Sequence, residues 1–197
     1  MELSTRTLTL SSDVQNTLNR LKWHKHYGKL KPRPKAGLAF LGRTSKAPKK
    51  LLYDTTVYID ILQDHFPSDG DLAIRALDAY HSPVTEAEML FAIGRLDPAH
   101  PETAANLKKI ADVLEKRPLH RTLLPDQSIW RDAGAMTGIL TRLQGYSDGD
   151  RQRLLNDALI FCTARKHGLA VLTRNIGDFD LLQQLDSRGN VLFYERK

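Results

Sequence analysis

Short apolar runs separated by longer helical patterns are the feature that constrains the fold of this chain most strongly. LLY (51–53), GLAVLT (168–173) and NVLFY (190–194) each have the length of a buried strand. Amphipathic stretches lie between them, such as the segment 101–117, where Leu107 and Leu114 share one face. Strands that alternate with helices predict an α/β fold with a mainly parallel central sheet. In such sheets functional residues gather at the carboxyl ends of the strands.

The pattern also predicts where the individual elements lie. We expect a strand at 119–124, and we expect SPVT (82–85) to be a short extended piece that enters a helix. Further helices are predicted at 55–64, 71–80, 86–95, 126–144 and 151–167, with a short one in FDLLQQL (179–185).

Charge divides the chain into two parts. Residues 1–50 hold 12 Lys and Arg against two acids, a formal charge of +10, whereas residues 51–197 carry −4. We therefore predict a basic N-terminal extension over 1–50, with one short helix capped near Asp13, and a folded domain over 51–197. A basic extension favours a polyanionic partner, with nucleic acid as the leading candidate. A solubilising role and an acidic protein partner are the alternatives.

Aromatic residues within the extension have two interpretations. Trp23, Tyr27 and Phe40 lie among basic residues and could stack on bases, but we favour the interpretation that they anchor the extension onto the domain.

Composition indicates the compartment. With 41% hydrophobic residues the chain can bury a full core. A single cysteine, Cys162, excludes an internal disulfide framework and a multi-cysteine zinc site. The sequence contains no long uncharged apolar stretch and no apolar signal-peptide core at the N-terminus. We expect a soluble cytoplasmic protein with no membrane segment.

Acidic residues occur where an α/β fold would bring them together. Asp54 directly follows the first strand, where it can cap a helix, bind a metal ion, or do both. Asp157 shares a helical face with Leu154 and Phe161, and a carboxylate there is costly to bury unless a cation or several hydrogen bonds compensate. A metal ion explains that position better than the alternative, an ion pair with Arg153.

The remaining acids are less decisive by themselves. Thr85 and Glu88 fit a capping box, and helical spacing does not choose between Glu86 and Glu88 as a functional residue. Asp178 follows the GLAVLT strand and fits a turn or cap, and Asp180 is expected to face solvent. Carboxylates that converge in this way would repel one another, and a hard divalent ion, Mg²⁺ or Mn²⁺, relieves such repulsion.

From Leu51 onward the chain resembles the PIN-domain ribonucleases, in particular the VapC-type toxins of bacterial toxin–antitoxin pairs. The segments that carry the resemblance, in the family's order, are LLYDTTVYIDIL, SPVTEAEMLFA and NDALIFCTARKHGLAVLTRNIGDF. The resemblance implies a three-layer α/β/α fold and selects Glu88 over Glu86. The metal-binding and catalytic residues that it implies are Asp54, Glu88, Asp157 and Asp178, and the supporting or substrate-side residues are Thr55, Thr56, Thr173, Arg174 and Asn175.

The same resemblance implies a function. It implies an Mg²⁺- or Mn²⁺-dependent endoribonuclease with an RNA substrate, a cognate antitoxin and a homodimeric state. Arg165, Lys166 and the extension join Arg174 as candidates for phosphate contacts. The chain departs from the family pattern at Phe161 and Cys162, where small residues are usual, and in its basic extension.

Three other functions compete with this interpretation. One is a non-catalytic, nucleic-acid-binding PIN-like protein that acts through its basic arm. Another is a phosphatase of the haloacid dehalogenase type, which needs a second aspartate where this chain has Thr56. The third is a metal-free ribonuclease, although the seven histidines share no motif.

Overall fold

The computed structural model describes residues 12–43, 48–67 and 78–197, and its centre is a four-stranded sheet. The strands are β1 (Lys50–Tyr53), β2 (Asp78–Tyr80), β3 (Ala170–Thr173) and β4 (Asn190–Phe193), in the spatial order β2-β1-β3-β4. Every pairing is parallel, and Leu52 pairs with Val171, which in turn pairs with Val191. The predicted parallel sheet is therefore confirmed.

Helices supply the two outer layers of the fold. Those in the described part of the chain are α1 (Ser12–Arg20), α2 (Thr55–Leu62), α3 (Pro83–Gly94), α4 (Thr103–Glu115), α5 (Gln127–Gln144), α6 (Asp148–Lys166) and α7 (Ile176–Leu185). None of these helices combines the length and the apolar composition that a membrane span requires.

Two hydrophobic clusters lie on the two faces of the sheet, because successive strand side chains point to opposite sides. Leu52 and Val171 face the cluster that packs against α5, α6 and α7. Leu51 and Leu172 face the other cluster, which includes side chains from α2, α3 and α4. This arrangement gives the three-layer α/β/α architecture that the resemblance implied.

Phe161, which stands where the family usually has a small residue, is accommodated by a glycine. Phe161 is fully buried, and its ring occupies the space beside Gly189, where a Cβ atom would lie only 2.2 Å from the Phe161 Cζ atom. The large ring therefore depends on the missing side chain at position 189.

Several predicted elements differ from the structure. Helix α3 begins at Pro83 and is capped by Ser82, because proline suits the first helical turn, so the extended SPVT piece was wrong. Residues 119–124 were predicted as a strand, but Leu119–Arg121 form a 3₁₀ turn and only Thr122 pairs, with His81. Of the helix predicted at 71–80, residues 78–80 form β2 and the rest lies outside the described residues.

The described part of the extension packs against the domain. Leu21 and Phe40 are buried in the cluster beside α5 and α6, whereas Tyr27 is 87% exposed and Trp23 is 44% exposed. Residue 40 also bridges to Phe193 in parallel, with the Leu41 N–H donating to the Phe193 carbonyl at 2.7 Å. Of the three aromatic residues predicted to anchor the extension, Phe40 is the buried one.

Candidate active site

A cavity of about 640 Å³ opens beside the carboxyl ends of β1 and β3. Acidic and amide side chains form its polar part, and Ile59 and Phe91 are among its apolar walls. The described residues that line it are Asp54, Thr55, Thr56, Ile59, Ala87, Glu88, Phe91, Gly149, Gln152, Arg153, Asn156, Asp157 and Asn175.

Asp54 lies where β1 ends and α2 begins. Its side chain caps α2 by accepting a hydrogen bond from the Thr56 N–H, and it also accepts hydrogen bonds from the Thr56 and Thr173 hydroxyls, each at 2.7 Å. Burial raises the pKa of Asp54, while these hydrogen bonds act in the opposite direction. The cap predicted from the sequence is present, and the same carboxylate reaches the cavity.

Asp157 projects from α6 and is almost fully buried. Its pKa is raised well above the ordinary value, first by burial and then by the negative charges of Asp54, Asp178 and Glu88. The Asn175 amide donates a hydrogen bond to Asp157 at 3.1 Å. Each of these carboxylates therefore lies close enough to Asp157 to repel its ionised form.

Asp178, near the start of α7, lies in a network of donors. Asn175 donates to it at 3.0 Å, the Tyr146 hydroxyl donates at 3.3 Å, and Arg153 forms an ion pair with it. The arginine proposed as an alternative partner of Asp157 thus binds Asp178. Burial lowers the pKa of Arg153, but Asp178, Asp157 and Asp150 together raise it above its ordinary value.

Glu88 and Glu86 point to different surroundings. Glu88 lines the cavity and accepts hydrogen bonds from the Thr55 hydroxyl and from the Asn156 amide. Glu86 forms an ion pair with Arg117. The Thr85–Glu88 capping box is absent, because α3 begins two residues before Thr85, whose hydroxyl donates to the Tyr53 carbonyl.

The other sequence-predicted residues divide into two groups. Thr55, Thr56 and Asn175 line the cavity, and the buried Thr173 contacts it through Asp54. Arg174 binds Asp60 at 2.7 Å and is not among the lining residues. Arg165 pairs with Asp132 and Asp186, and Lys166 pairs with Asp126, so neither faces this cavity.

The prediction for Asp180 was wrong. Expected to face solvent, this residue is fully buried and accepts hydrogen bonds from the backbone and the guanidinium of Arg33 in the extension, at 2.8 and 2.5 Å. Its partner lies 147 residues away in sequence, so no local pattern could have found it.

Sequence reasoning missed several lining residues of the cavity, and the most informative of them are Phe91, Arg153 and Asn156. Asn156 directly precedes Asp157 on α6. Its amide donates a hydrogen bond to Glu88 on the neighbouring helix α3 and so orients that side chain. The spacing of Arg153 one turn before Asp157 was the only signal for its position.

The carboxylates fit a divalent cation in their chemistry. An all-oxygen donor set suits Mg²⁺ or Mn²⁺, and the raised pKa of Asp157 reflects negative charge that a cation would relieve. As they stand, no three Asp, Glu, His or Cys side chains in residues 12–43, 48–67 and 78–197 are arranged to hold a metal ion together. Instead, the carboxylates accept hydrogen bonds from Thr, Asn and Arg, and these contacts would have to rearrange around an ion.

The protein has a parallel sheet between helical layers, and an acidic cavity lies at the carboxyl edge of that sheet. These features define an α/β protein of the kind that binds substrates at this edge. The family model of the PIN domain matches residues 51–182, and the chain belongs to this family. Members of the family are generally nucleases, which makes hydrolysis the broad class of activity. No curated protein matches the chain in sequence.

Solved structures share the fold at low sequence identity. VapBC2 from Rickettsia felis, bound to a promoter DNA fragment, contains a chain that is 16% identical, with a TM-score of 0.52 over 74% of this chain and 98% of that one. DNA-bound VapBC from Salmonella typhimurium gives 18% identity and a TM-score of 0.52, over 74% and 97%. VapBC-1 from nontypeable Haemophilus influenzae gives 19% identity and a TM-score of 0.51, over 74% of this chain and 96% of that one.

Proposed function

We propose that this protein is an Mg²⁺- or Mn²⁺-dependent endoribonuclease and the toxin of a type II toxin–antitoxin pair. The observation that carries the proposal is the buried carboxylate of Asp157, which lines one cavity together with Asp54 and Glu88 and whose ionised form is opposed by these two acids and by Asp178. A protein that keeps such repulsion in a solvent-connected cavity gains from it only if a cation binds there.

Asp54, Asp157 and Glu88 would hold the ion, with Asp178 completing the set. When bound, a divalent ion lowers the pKa of a water molecule and stabilises negative charge on the phosphodiester oxygens.

The chain's own residues keep these carboxylates in position. Thr56 and Thr173 fix one oxygen of Asp54, and Asn175 spans Asp157 and Asp178 with one amide nitrogen. Thr55 and Asn156 hold the two oxygens of Glu88. These contacts keep the carboxylates around the cavity, and a bound ion would replace some of them with its own bonds.

The proposed partners follow from the same family. The chains with a similar fold come from VapBC complexes, which supports a cognate antitoxin and a homodimer for this protein. Exposed apolar side chains on α3 and α4, such as Leu90 and Leu107, support a protein partner on that side. An RNA substrate implies that the protein acts in the cytoplasm.

Metal-restored RNA cleavage is the test. Purified protein is treated with chelator, given Mg²⁺ or Mn²⁺, and assayed on total RNA beside Asp54→Asn and Asp157→Asn. We expect cleavage to return only with metal and to fall by at least about 100-fold in both variants, because each loses a charge that the ion needs. Asp64→Asn, at an exposed acid outside the cavity, is the matched control and should cleave normally.

Retained cleavage in Asp54→Asn and Asp157→Asn would contradict the proposal. Metal-independent RNA binding without cleavage would instead favour the non-catalytic alternative, in which the basic arm is the functional part. Against that alternative, Arg20, Arg33, Lys35 and Arg43 of the arm are each paired with an acid of this same chain.

A further inference from the structure

One wall of the acidic cavity is apolar and contains an exposed aromatic ring. Phe91 on α3 lines the cavity beside Ala87 and Ile59, yet 67% of its surface is exposed. Phenylalanine is usually buried, and a ring left open inside a functional cavity indicates a ligand with an apolar face.

A cation lies against this ring. The guanidinium carbon of Arg95, the residue that directly follows α3, is 5.7 Å from the centroid of the Phe91 ring. Arg95 is exposed and makes no ion pair with the described residues, so its charge is left uncompensated. An aromatic ring next to a free guanidinium suits a ligand that has both a flat apolar surface and negative charge.

A second guanidinium, unlike that of Arg95, lines the cavity itself. Arg153 is the one cationic side chain among the described lining residues, and about half of it is exposed. Its contact with Asp178 holds the guanidinium beside the carboxylates while leaving donors free, because a guanidinium has five N–H groups. A phosphate next to the acidic centre would meet this side chain.

We propose that Phe91, with Arg95 against its ring, is a stacking platform for an unpaired nucleobase, and that Arg153 binds an adjacent phosphate. The inference rests on the proposed function and narrows its substrate class to single-stranded RNA or to unpaired loops. In an A-form duplex the bases are stacked on one another, so their faces are not available to an aromatic ring.

Binding without cleavage tests the platform. The full chain is kept in chelator, and its affinity for a labelled oligouridine of about 12 nucleotides is measured by fluorescence anisotropy. Phe91→Ala should weaken binding roughly 5- to 150-fold, the usual effect of losing one base–aromatic stack. Phe91→Trp should retain the affinity, and Leu119→Ala, at an exposed leucine outside the cavity lining, should leave it unchanged.

An abasic strand separates stacking from charge. A ribose-phosphate strand of the same length keeps every phosphate but offers no base. Phe91→Ala should leave the affinity for this strand unchanged, whereas a loss on both strands would mean that Phe91 shapes the cavity without stacking on a base.

The phosphate contact has its own control. Arg153→Gln should weaken binding of both strands and reduce the slope of log affinity against log salt by about 0.7, the value for one phosphate contact on a single strand. Arg151→Gln, at an exposed arginine of the same helix outside the cavity lining, should do neither. Equal slopes for Arg153→Gln and the unchanged protein would overturn the phosphate contact.

Several outcomes overturn the platform independently of the nuclease proposal. Unchanged affinity in Phe91→Ala, no measurable binding of oligouridine, or equal affinity for duplex RNA would each do so, even if metal-dependent cleavage is present. A Phe91→Ala protein that changes its oligomeric state in size-exclusion chromatography but keeps its RNA affinity would assign the ring to a protein interface. Loss of binding in Phe91→Ala, in a protein that never cleaves, would keep the platform while the nuclease proposal fails.

Discussion

At the scale of single residues, the ionised side chain of Asp157 destabilises the folded state. The charge of this carboxylate is disfavoured by burial and by Asp54, Asp178 and Glu88. Sites of this kind commonly exchange stability for function, because an isolated buried charge lowers the free energy of unfolding. The repulsion should therefore be measurable in the metal-free protein without any assay of activity.

We predict that Asp157→Asn is more stable than the unchanged protein in chelator at pH 7. Asparagine keeps an oxygen for the Asn175 amide and removes the charge. A gain of about 1 kcal/mol would raise Tm by roughly 2–4 °C in a chain of this size. Differential scanning calorimetry in chelator measures the gain, and a lower Tm in the variant would contradict the repulsion argument.

The pH dependence of that gain has a definite sign. A carboxyl group with a raised pKa in the folded state takes up protons before the unfolded chain does, so its cost falls as pH falls. The Tm advantage of Asp157→Asn should shrink between pH 7 and pH 5. His81 acts in the opposite direction, since burial lowers its pKa to about 4, but it is present in both proteins and cancels in the difference.

What the sequence could predict at this scale depended on local chemistry. Asp54 stood out because it follows an apolar run, and Asp157 because it interrupts an apolar helical face. Asp180 was missed because its partner, Arg33, belongs to a distant segment. Phe91 was not singled out, since helical spacing gives only the face of α3 and not what covers it.

At the scale of elements, the extension contributes to the edge of the sheet. The segment 39–41 pairs with β4, with the Phe193 N–H donating to the Ala39 carbonyl at 2.8 Å. Unpaired sheet edges favour aggregation, and covering them is a common remedy in natural proteins. Helix α1 adds Thr17 and Arg20, which both donate to Asp132 on α5.

We predict that Phe40→Ala destabilises the fold by about 3–5 kcal/mol, the usual cost of removing a buried phenylalanine ring. The ring packs against Phe193, with centroids 5.9 Å apart, inside the main hydrophobic cluster. Chemical denaturation followed by circular dichroism measures the change. Tyr27→Ala, at an aromatic residue of the same extension that is 87% exposed, should change stability by less than about 0.5 kcal/mol.

Sequence patterns predicted the type of most elements better than their ends. Helix α5 was predicted to within one residue, because Asp126 is a strong cap and its side chain accepts from the Ile129 N–H. Residues 119–124 were predicted wrongly: Leu119–Arg121 form a 3₁₀ turn, and only Thr122 forms a bridge, to His81 just after β2. The boundary between an extension at 1–50 and a domain at 51–197 stays a prediction, since Phe40 and Leu21 contribute to the same core.

At the scale of the whole molecule, the basic charge of the extension is partly consumed within the chain. Arg20, Arg33, Lys35 and Arg43 pair with Asp132, Asp180 and Glu195. Lys25, Lys29 and Lys31 are exposed and make no ion pair with the described residues, which leaves them to interact with a polyanion.

We predict that replacing Lys25, Lys29 and Lys31 together by Gln weakens RNA binding and reduces its salt slope by up to about 2, or 0.7 for each lost contact. Binding is measured by anisotropy across a salt series. The matched control replaces Lys108, Lys109 and Lys116, exposed lysines on or directly after α4, and so removes the same charge. Equal slopes for the two triple variants would show that only net charge matters.

The contact between Phe40 and Phe193 has a consequence for how the protein is made. The two residues are 153 positions apart, so the ribosome must synthesise nearly all of the domain before the segment 39–41 can find its place beside β4. Until then a sheet edge and a cluster of apolar side chains stay uncovered, at the stage when nascent chains depend most on chaperones. For a protein proposed to cut RNA, this order of events would delay completion of the fold until β4 has emerged from the ribosome.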